Sequence, residues 1–478
     1  MLEKRDFYIN GAWVAPAAAN DCEVIDPSTE EVCAVISLGD QADTDAAVAA
    51  AKAAFPAWST TSKDERMAVL KRLLDEYNKR ADDMAQAISM EMGAPINLAR
   101  NSQTGAGSWH LEGFIEAFEN FEFESMLRAD APNDRILREA IGVCALITPW
   151  NWPMNQVMLK VAGALAAGCT MVLKPSEVAP LSSVVFTEIM DAAGLPAGVY
   201  NMVNGDGVGV GSQLSVHPDV DMVSFTGSTR AGTAITKASA DTIKRVALEL
   251  GGKGANVVFA DADPKAVKRG VLHMMNNTGQ SCNAPSRMLV ERSYYDEAVE
   301  IATETANKVT VGLASEEGRH MGPVVSEVQF NKIQDLIQQG IDEGARLVAG
   351  GTGRPEGMNR GYFIRPTVFA DVNNEMTIAR EEIFGPVMAM IPFDGEEDAI
   401  AIANDTVYGL TNYVQTQDKD RAIRVARAMR SGMVEINGVG RAQGAPFGGY
   451  KQSGIGREGG HWGIEDFLET KSVSGWQD

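Results

Sequence analysis

GVCALITPWNWPMNQVMLKVAGALAAGCTMVLKPSE, residues 142–177, carries the reading on which the rest of the chain depends. A short apolar run, GVCALI, is followed by a helix that Pro153 opens and Gly168 ends, and a second apolar run, TMVL, comes next. This is one strand–helix–strand unit. The pattern repeats: a helix closing near Gly194, YNMV with a short Gly-rich helix, MVSF with a helix after Ser228, and then RVALEL. Short apolar strands alternating with helices over 141–260 predict a parallel, doubly wound α/β sheet. In such a sheet ligands bind beyond the carboxyl ends of the strands. The residues at those ends are Pro149 to Asn151, Lys174 to Glu177, Gly205, Gly227 with Ser228, and Glu249.

Working outward, VALELGGK (246–253) reads as a strand with Val246, Leu248 and Leu250 on one face. Glu249 then lies on the other face, at the strand's end before Gly251 and Gly252, where a carboxylate can serve as a base. Further on, NTGQSCNAP (277–285) places Cys282 among Gly279, Ser281 and Asn283. Small polar neighbours suit an open loop whose thiolate a substrate can reach. An isolated cysteine reads equally as a small buried hydrophobe.

Upstream, FYINGAW is a turn between strands, followed by the strand-like EVIDP and EVCAVI, and Asp43 opens an Ala-rich helix to Trp58. Over 63–92 the apolar positions Met67, Leu70, Leu74, Tyr77, Ala81, Met84 and Ile88 recur at helical spacing. FEFESMLRAD (121–130) and RILREAIGVCALI (135–147) bracket a Pro-Asn-Asp turn and predict an extended hairpin. Downstream, 251–445 is a second α/β region. Its strands are RMLVE, RLVAG, FIRPTVF, PVMAMIPF, LTNYVQT and GMVEIN, with helices over 294–308, 326–343 and 418–430. Cys282 and Glu249 therefore belong to different halves, and the cleft between the halves is the expected site. The tail is a Gly-rich loop, PFGGYKQSGIGREGG, a helix and a last strand.

Composition excludes several function classes. With 478 residues the chain exceeds one core, and 45% hydrophobic with 22% charged residues is ordinary globular usage. A formal net charge of -22 argues against nucleic acid, whose binding needs a basic face. MLEKRDFYIN has no apolar core of a secretory signal, and the longest weakly polar run, 161–173, falls short of the roughly eighteen residues of a membrane span. A cytoplasmic protein without membrane contact is expected. Five scattered cysteines without CxxC spacing suggest neither a disulfide framework nor zinc, and the five histidines show no ligand spacing, so no metal is expected.

The GxGxxG fingerprint is absent, and GSTRAG (227–232) has the wrong spacing for it. A Gly-Ser pair opening a helix still presents backbone amides to a phosphate. KPSE alone is compatible with a plain helix entry, Asn151 with a turn residue before Pro153, Lys160 with a solvated helix position, and Arg441 with a solvated loop arginine.

ITPWNWP (147–153), KPSE (174–177), FTGST (225–229), VALELGGK, NTGQSCNAP and EEIFGPV (381–387) occur in an order, over nearly the whole chain, that resembles the aldehyde dehydrogenase superfamily. The resemblance implies an α/β fold of three parts. These are an NAD-binding domain (1–120 and 146–250) built on the doubly wound parallel sheet, a catalytic domain (251–450), and an oligomerisation arm (121–145 with 460–478). Through that arm the hairpin pairs with a neighbouring subunit, in a homodimer or homotetramer. It implies Cys282 as nucleophile, Glu249 as base, Asn151 as oxyanion donor and Lys160 as proton relay. Trp150, Gly227 and Ser228 then lie near the dinucleotide, Lys174, Ser176 and Glu177 hold the adenosine ribose, and Glu382 and Phe384 hold the nicotinamide ribose and ring. A carboxylate at Glu177 repels a 2′-phosphate, so NAD is expected over NADP. The reaction implied is oxidation of an aldehyde to a carboxylic acid through a thioester on Cys282. The presence of Glu249 separates it from CoA-acylating relatives, which form acyl-CoA; the remaining alternative is a non-catalytic binding protein on the same fold. The pocket positions are Trp152, Asn155, Gln156, Leu159, Arg441, Gln443 and Phe447, a polar set in which Arg441 offers a partner to an anionic substrate end.

Overall fold

The strand Val143–Ile147 lies in the middle of an eight-stranded sheet, with Met222–Thr226 on one side and Thr170–Lys174 on the other. The computed structural model describes residues 1–477. Tyr200–Met202 continues the parallel run beyond Thr170–Lys174, and Arg245–Glu249 continues it beyond Met222–Thr226. The chain therefore winds one way from Val143–Ile147 and returns to wind the other way. This reversal puts the topological switch point between Ile147 and Thr226, the place where such sheets open a crevice for ligands. Antiparallel edges, Gly454–Ile455 at one end and Phe7–Ile9 with Ala12–Val14 at the other, complete the sheet.

A seven-stranded sheet follows, parallel in the order Thr367–Ala370, Val387–Phe393, Arg287–Glu291, Ala255–Val258, Thr411–Gln415, Met433–Ile436, with Arg346–Ala349 antiparallel at its edge. Most strands and helices arise where the sequence pattern places them. The central strand Ala255–Val258 is absent from the sequence reading, because four residues buried on both faces, Asn256 among them, carry no apolar-polar alternation. FIRPTVF is extended only from Thr367, directly after Pro366, which cannot donate to a ladder.

Three other expectations shift. The 63–92 helix is two, Lys63–Lys79 and Ala81–Met92, broken at Arg80. The first long helix, Gln41–Trp58, is capped by Asp40, while Asp43 closes the capping box from its first turn. In the hairpin, Glu124–Arg128 pairs with Ala131–Ala140 and Arg128 faces Ala131, so the turn is Ala129-Asp130 rather than Pro-Asn-Asp. Pro132 lies inside the second strand at a register shift, where its missing N–H costs no ladder bond. That strand also ends at Ala140; Gly142, at φ +138, turns the chain into Val143–Ile147 of the large sheet. The last strand, Leu468–Ser474, pairs antiparallel with Ala131–Ala140, making a small three-stranded sheet of hairpin and tail.

The core is held by one buried carboxylate as well as by apolar packing. Glu91 is fully buried and accepts the backbone N–H groups of Leu181 and of Ser182, the latter at 2.9 Å. It thereby satisfies the first turn of Leu181–Ala192, whose N-cap residue is Pro180 and supplies no side-chain cap. Glu91→Ala leaves buried donors unpaired and opens a hole, so a loss of about 3 kcal/mol in urea unfolding is expected.

Candidate active site

The two large sheets meet with opposite ends. The first presents the carboxyl ends of its strands, through Pro149–Asn151, Thr226–Ser228 and Glu249. The second presents amino ends: Cys282 comes five residues before Arg287–Glu291, and Glu382 and Phe384 come just before Val387–Phe393. Between them is a cleft of about 220 Å³ lined by Trp150, Asn151, Gln156, Gly227, Ser228, Glu249, Cys282, Glu382 and Phe384, among others. The crossing segment 250–254 is buried throughout. Gly252 is required there, since a Cβ would stand 2.3 Å from the carbonyl oxygen of Cys282.

Cys282 is half-buried, and Leu410, Met433 and Phe447 form the apolar cluster beside it. Its thiol is pushed up by burial, and further by the nearby carboxylates of Glu382 and Glu249. Asn151 is buried at the end of its strand, and its Nδ2 donates to the carbonyl of Gln280, 3.1 Å away. One amide hydrogen is thus engaged and the other remains for a ligand. Trp152 donates from Nε1 to Ser281 Oγ at 2.7 Å, tying the same turn to the residue before the cysteine.

Glu249 is 4% exposed and neither of its carboxylate oxygens has a protein partner. Its proton affinity is raised well above the carboxylate range, first by burial and then by Glu458, with Lys160 and Arg457 opposing. Lys160, far from being solvated, is 1% exposed; its Nζ donates to Glu458 at 2.6 Å and to Ser224 at 3.1 Å. Glu458 keeps its Oε2 without a protein partner. Lys160 is thus bonded to Glu458 alone of the two carboxylates, and the charge of Glu458 acts with burial to disfavour the ionised form of Glu249.

The rest of the cleft fits a dinucleotide. Trp150 meets Phe384 edge-on at 5.4 Å between ring centroids, and Leu250 lies in the same lining, giving apolar surface for a flat heteroaromatic ring. Phe384 is held at φ 59°, an uncommon conformation for a bulky residue and one that clusters at ligand sites. Glu382 accepts the N–H of Gly252 at 2.8 Å, and burial raises its proton affinity. Ser228 caps Thr229–Ser239, so amides at that helix start face the cleft near Gly227. Lys174 is buried, its affinity for a proton lowered by that burial, and it reaches Glu177 at 3.2 Å. KPSE is not a helix entry, since the next helix begins at Leu181. Ser176 Oγ accepts the N–H of Val178 at 3.3 Å within that loop.

On the far side of Cys282, Arg441 lies with its guanidinium carbon 4.7 Å from the Phe447 ring centroid and is partly buried rather than solvated. Burial lowers its affinity for a proton, and Glu435 counters that effect. Asn155 meets His110 at 2.7 Å, and Gln443 donates to the carbonyl of Trp109 at 2.6 Å. Gln156 is buried with its Oε1 unpartnered, and Leu159 is buried on the same helix. Among the described residues no group of acidic, His or Cys side chains is arranged for a metal, and no helix is long and apolar enough to cross a membrane.

Residues 13–473 match the model of the aldehyde dehydrogenase family. The chain belongs to that family. It is 52% identical, over the full length of both chains, to a 3-succinoylsemialdehyde-pyridine dehydrogenase from a Pseudomonas species. It superposes on a crystal structure of an aldehyde dehydrogenase from Bartonella henselae with a TM-score of 0.99 at 59% identity, each chain covered completely. Another similar structure is aldehyde dehydrogenase C of Pseudomonas syringae, a cysteine-to-alanine variant in complex with NAD+ and octanal. Identity there is 48% and the TM-score 0.97, over 98% of this chain and 96% of the other. The protein is an oxidoreductase acting on aldehydes.

Several residues of this aldehyde dehydrogenase site escaped the sequence reading. Glu458 is a lone acid in a Gly-rich loop, distant from Lys160 in sequence and next to it in space. Gln103, Asn277 and Gln280 are buried amides that sit among polar neighbours in sequence, so nothing in the pattern marks them as buried. Gln329, which donates to the carbonyl of Phe384 at 2.8 Å, belongs to a helix that reads as scaffold.

Proposed function

We propose that the protein oxidises an aldehyde to a carboxylic acid with NAD, through an acyl intermediate on Cys282. The observation that carries the proposal is the convergence of Cys282, Asn151 and Glu249 on one cleft, each from a different segment. Cys282 attacks the aldehyde carbon, and the free amide hydrogen of Asn151 with the backbone N–H of Cys282 holds the resulting oxyanion. Losing one such donor typically costs about 2.7 to 4 kcal/mol of transition-state stabilisation. The thiohemiacetal carbon gives up a hydride, for which a nicotinamide ring held by Glu382 and Phe384 would be the acceptor, and a thioester remains on Cys282. Glu249, unpartnered and beside the sulfur, takes a proton from water as that water attacks the thioester carbon; the acid leaves and the thiol is restored. Lys160 and Glu458 form the next stop for that proton, since Glu458 has a free oxygen and acts electrostatically on Glu249.

In this reading Lys174 and Glu177 hold the adenosine ribose with Ser176 alongside, and Glu382 and Phe384 hold the nicotinamide ribose and ring. Trp150, Gly227 and Ser228 border the dinucleotide, and Glu177 favours NAD over NADP. Residues 1–120 with 146–250 carry the cofactor and 251–450 the nucleophile. The arm, 121–145 with 460–478, joins copies into a homodimer or homotetramer. Supporting that last point, Met126 and Leu127 are half exposed on the edge strand of the small sheet. A free thiol at the centre suits a reducing compartment, the cytoplasm. The substrate side, with Trp152, Asn155, Gln156, Leu159, Arg441 and Phe447, favours an aldehyde bearing hydrogen-bond acceptors over a plain alkyl chain. The Pseudomonas relative is named for a semialdehyde, which agrees with a second polar group on the substrate, and Arg441 pairs with an anionic end where one is present.

The test is an NAD-linked panel of alkanals, oxo-aldehydes and semialdehydes with the product identified. Free acid is expected, unchanged when CoA is added, with kcat/KM higher for NAD than NADP and higher for the acceptor-bearing aldehydes. Acyl-CoA as product, or equal efficiency with NADP, contradicts the corresponding part of the proposal.

A further inference from the structure

Gln103 touches neither the sulfur nor Glu249, yet it is fully buried between the two loops on which the reaction depends. It lies in a π-helical turn, Ala99–Thr104, a wide turn that is rare and recurs at functional places. Its Nε2 donates to the backbone oxygen of Asn151 at 3.1 Å and to Oδ1 of Asn277 at 3.0 Å. Asn277 in turn donates from Nδ2 to that same Asn151 oxygen at 2.9 Å and to the carbonyl of Gln280 at 3.1 Å. The Gln280 carbonyl also takes the side-chain amide of Asn151. The result is a closed ring of hydrogen bonds that joins the Asn151 turn to the segment leading into Cys282.

That segment needs holding. Asn277 and Thr278 have φ of 49° and 55°, and Gly279 follows at +70°, three successive left-handed residues of which two carry side chains. Such backbone persists only where the surroundings over-determine it. Thr278 is pinned by its hydroxyl to the Gly322 carbonyl, and Gln280 by the N–H of Val325. The third tether is Gln103, and it alone among these also grips Asn151.

We infer that Gln103 is a positioning residue, which fixes where the second amide hydrogen of Asn151 points relative to Cys282. This rests on the oxyanion role proposed for Asn151. A donor is effective only within about 2.7–3.1 Å of the developing oxyanion, so a shift of a few tenths of an ångström weakens catalysis without emptying the cofactor site.

The test is Gln103→Met, of similar size but without donors, made in the wild type and in Asn151→Ala. In the wild type kcat/KM for the aldehyde should fall about 10- to 100-fold, with Kd for NAD changed less than about twofold. In the Asn151→Ala background the same substitution should change kcat/KM by less than about twofold, because the interaction it serves is already gone. Should Gln103→Met not fold, Gln103→Glu, which removes the paired donors at the same volume, is read in the same way. Undiminished activity, equal losses in both backgrounds, or a parallel loss of NAD binding overturns the clamp. A wild type that oxidises no aldehyde sinks the parent reading and the clamp with it, whereas an active wild type indifferent to Gln103 sinks the clamp alone.

Discussion

Replacing Cys282 by alanine is expected to lower kcat by on the order of 10⁵-fold, to the background of the remaining cleft, while NAD still binds. The size follows from the site's economy of nucleophiles. Cys282 is the sulfur in the cleft lining, whereas Cys144 and Cys169 are fully buried and Cys22 and Cys33 lie in a separate three-stranded sheet near the start of the chain. The effect should appear in the chemical step alone, because the alanine leaves Trp150, Glu382 and Phe384 in place around the cofactor. Steady-state NADH formation with the best aldehyde of the panel, beside an NAD titration by fluorescence, separates the two. Activity within tenfold of the wild type contradicts the role given to this sulfur.

Glu249→Gln should have the next largest effect, with a different signature. The amide fits the same volume and cannot take a proton, so attack on the aldehyde survives and hydrolysis of the thioester does not. A rapid burst of NADH, about one per site, followed by turnover slowed about 10²- to 10⁴-fold, is expected in stopped-flow measurements. The wild type adds a pH signature whose sign is fixed by the carboxyl's surroundings. Burial and Glu458 raise the proton affinity of Glu249, so the base form is scarce at low pH and hydrolysis speeds up as pH rises above the ordinary carboxylate range. The glutamine variant should lose that rise. A variant without a burst, or with the wild type's pH dependence intact, contradicts the assignment of the base.

The parts legible in the sequence were those carried by periodicity and turn chemistry. Pro153 and Gly168 bound a helix as read, Val246, Leu248 and Leu250 alternate with a buried Glu249, and of the expected strand ends Pro149 to Asn151, Gly227 with Ser228, and Glu249 line the one cleft, while Lys174 to Glu177 and Gly205 lie outside its lining. What stayed hidden depends on contacts between distant segments. Whether Lys160 is solvated or buried cannot be told from its helix, because the burial comes from the tail that brings Glu458 against it. The hairpin's turn was misplaced by a Pro-Asn-Asp signal that a bulge absorbs inside the strand. Ala255–Val258 was missed because a strand buried on both faces has no alternation to detect. The amides around Cys282 carried no pattern at all, since their role is fixed by a ring of hydrogen bonds closed across 174 positions of chain.

The most direct measurement is mass spectrometry of Glu249→Gln quenched in acid within the burst. With NAD and a good aldehyde, the peptide containing Cys282 should gain the mass of the acyl group in near-stoichiometric amount, and should not gain it when NAD is left out. An unmodified Cys282 under a full burst of NADH, or an acyl group on another residue, contradicts the account.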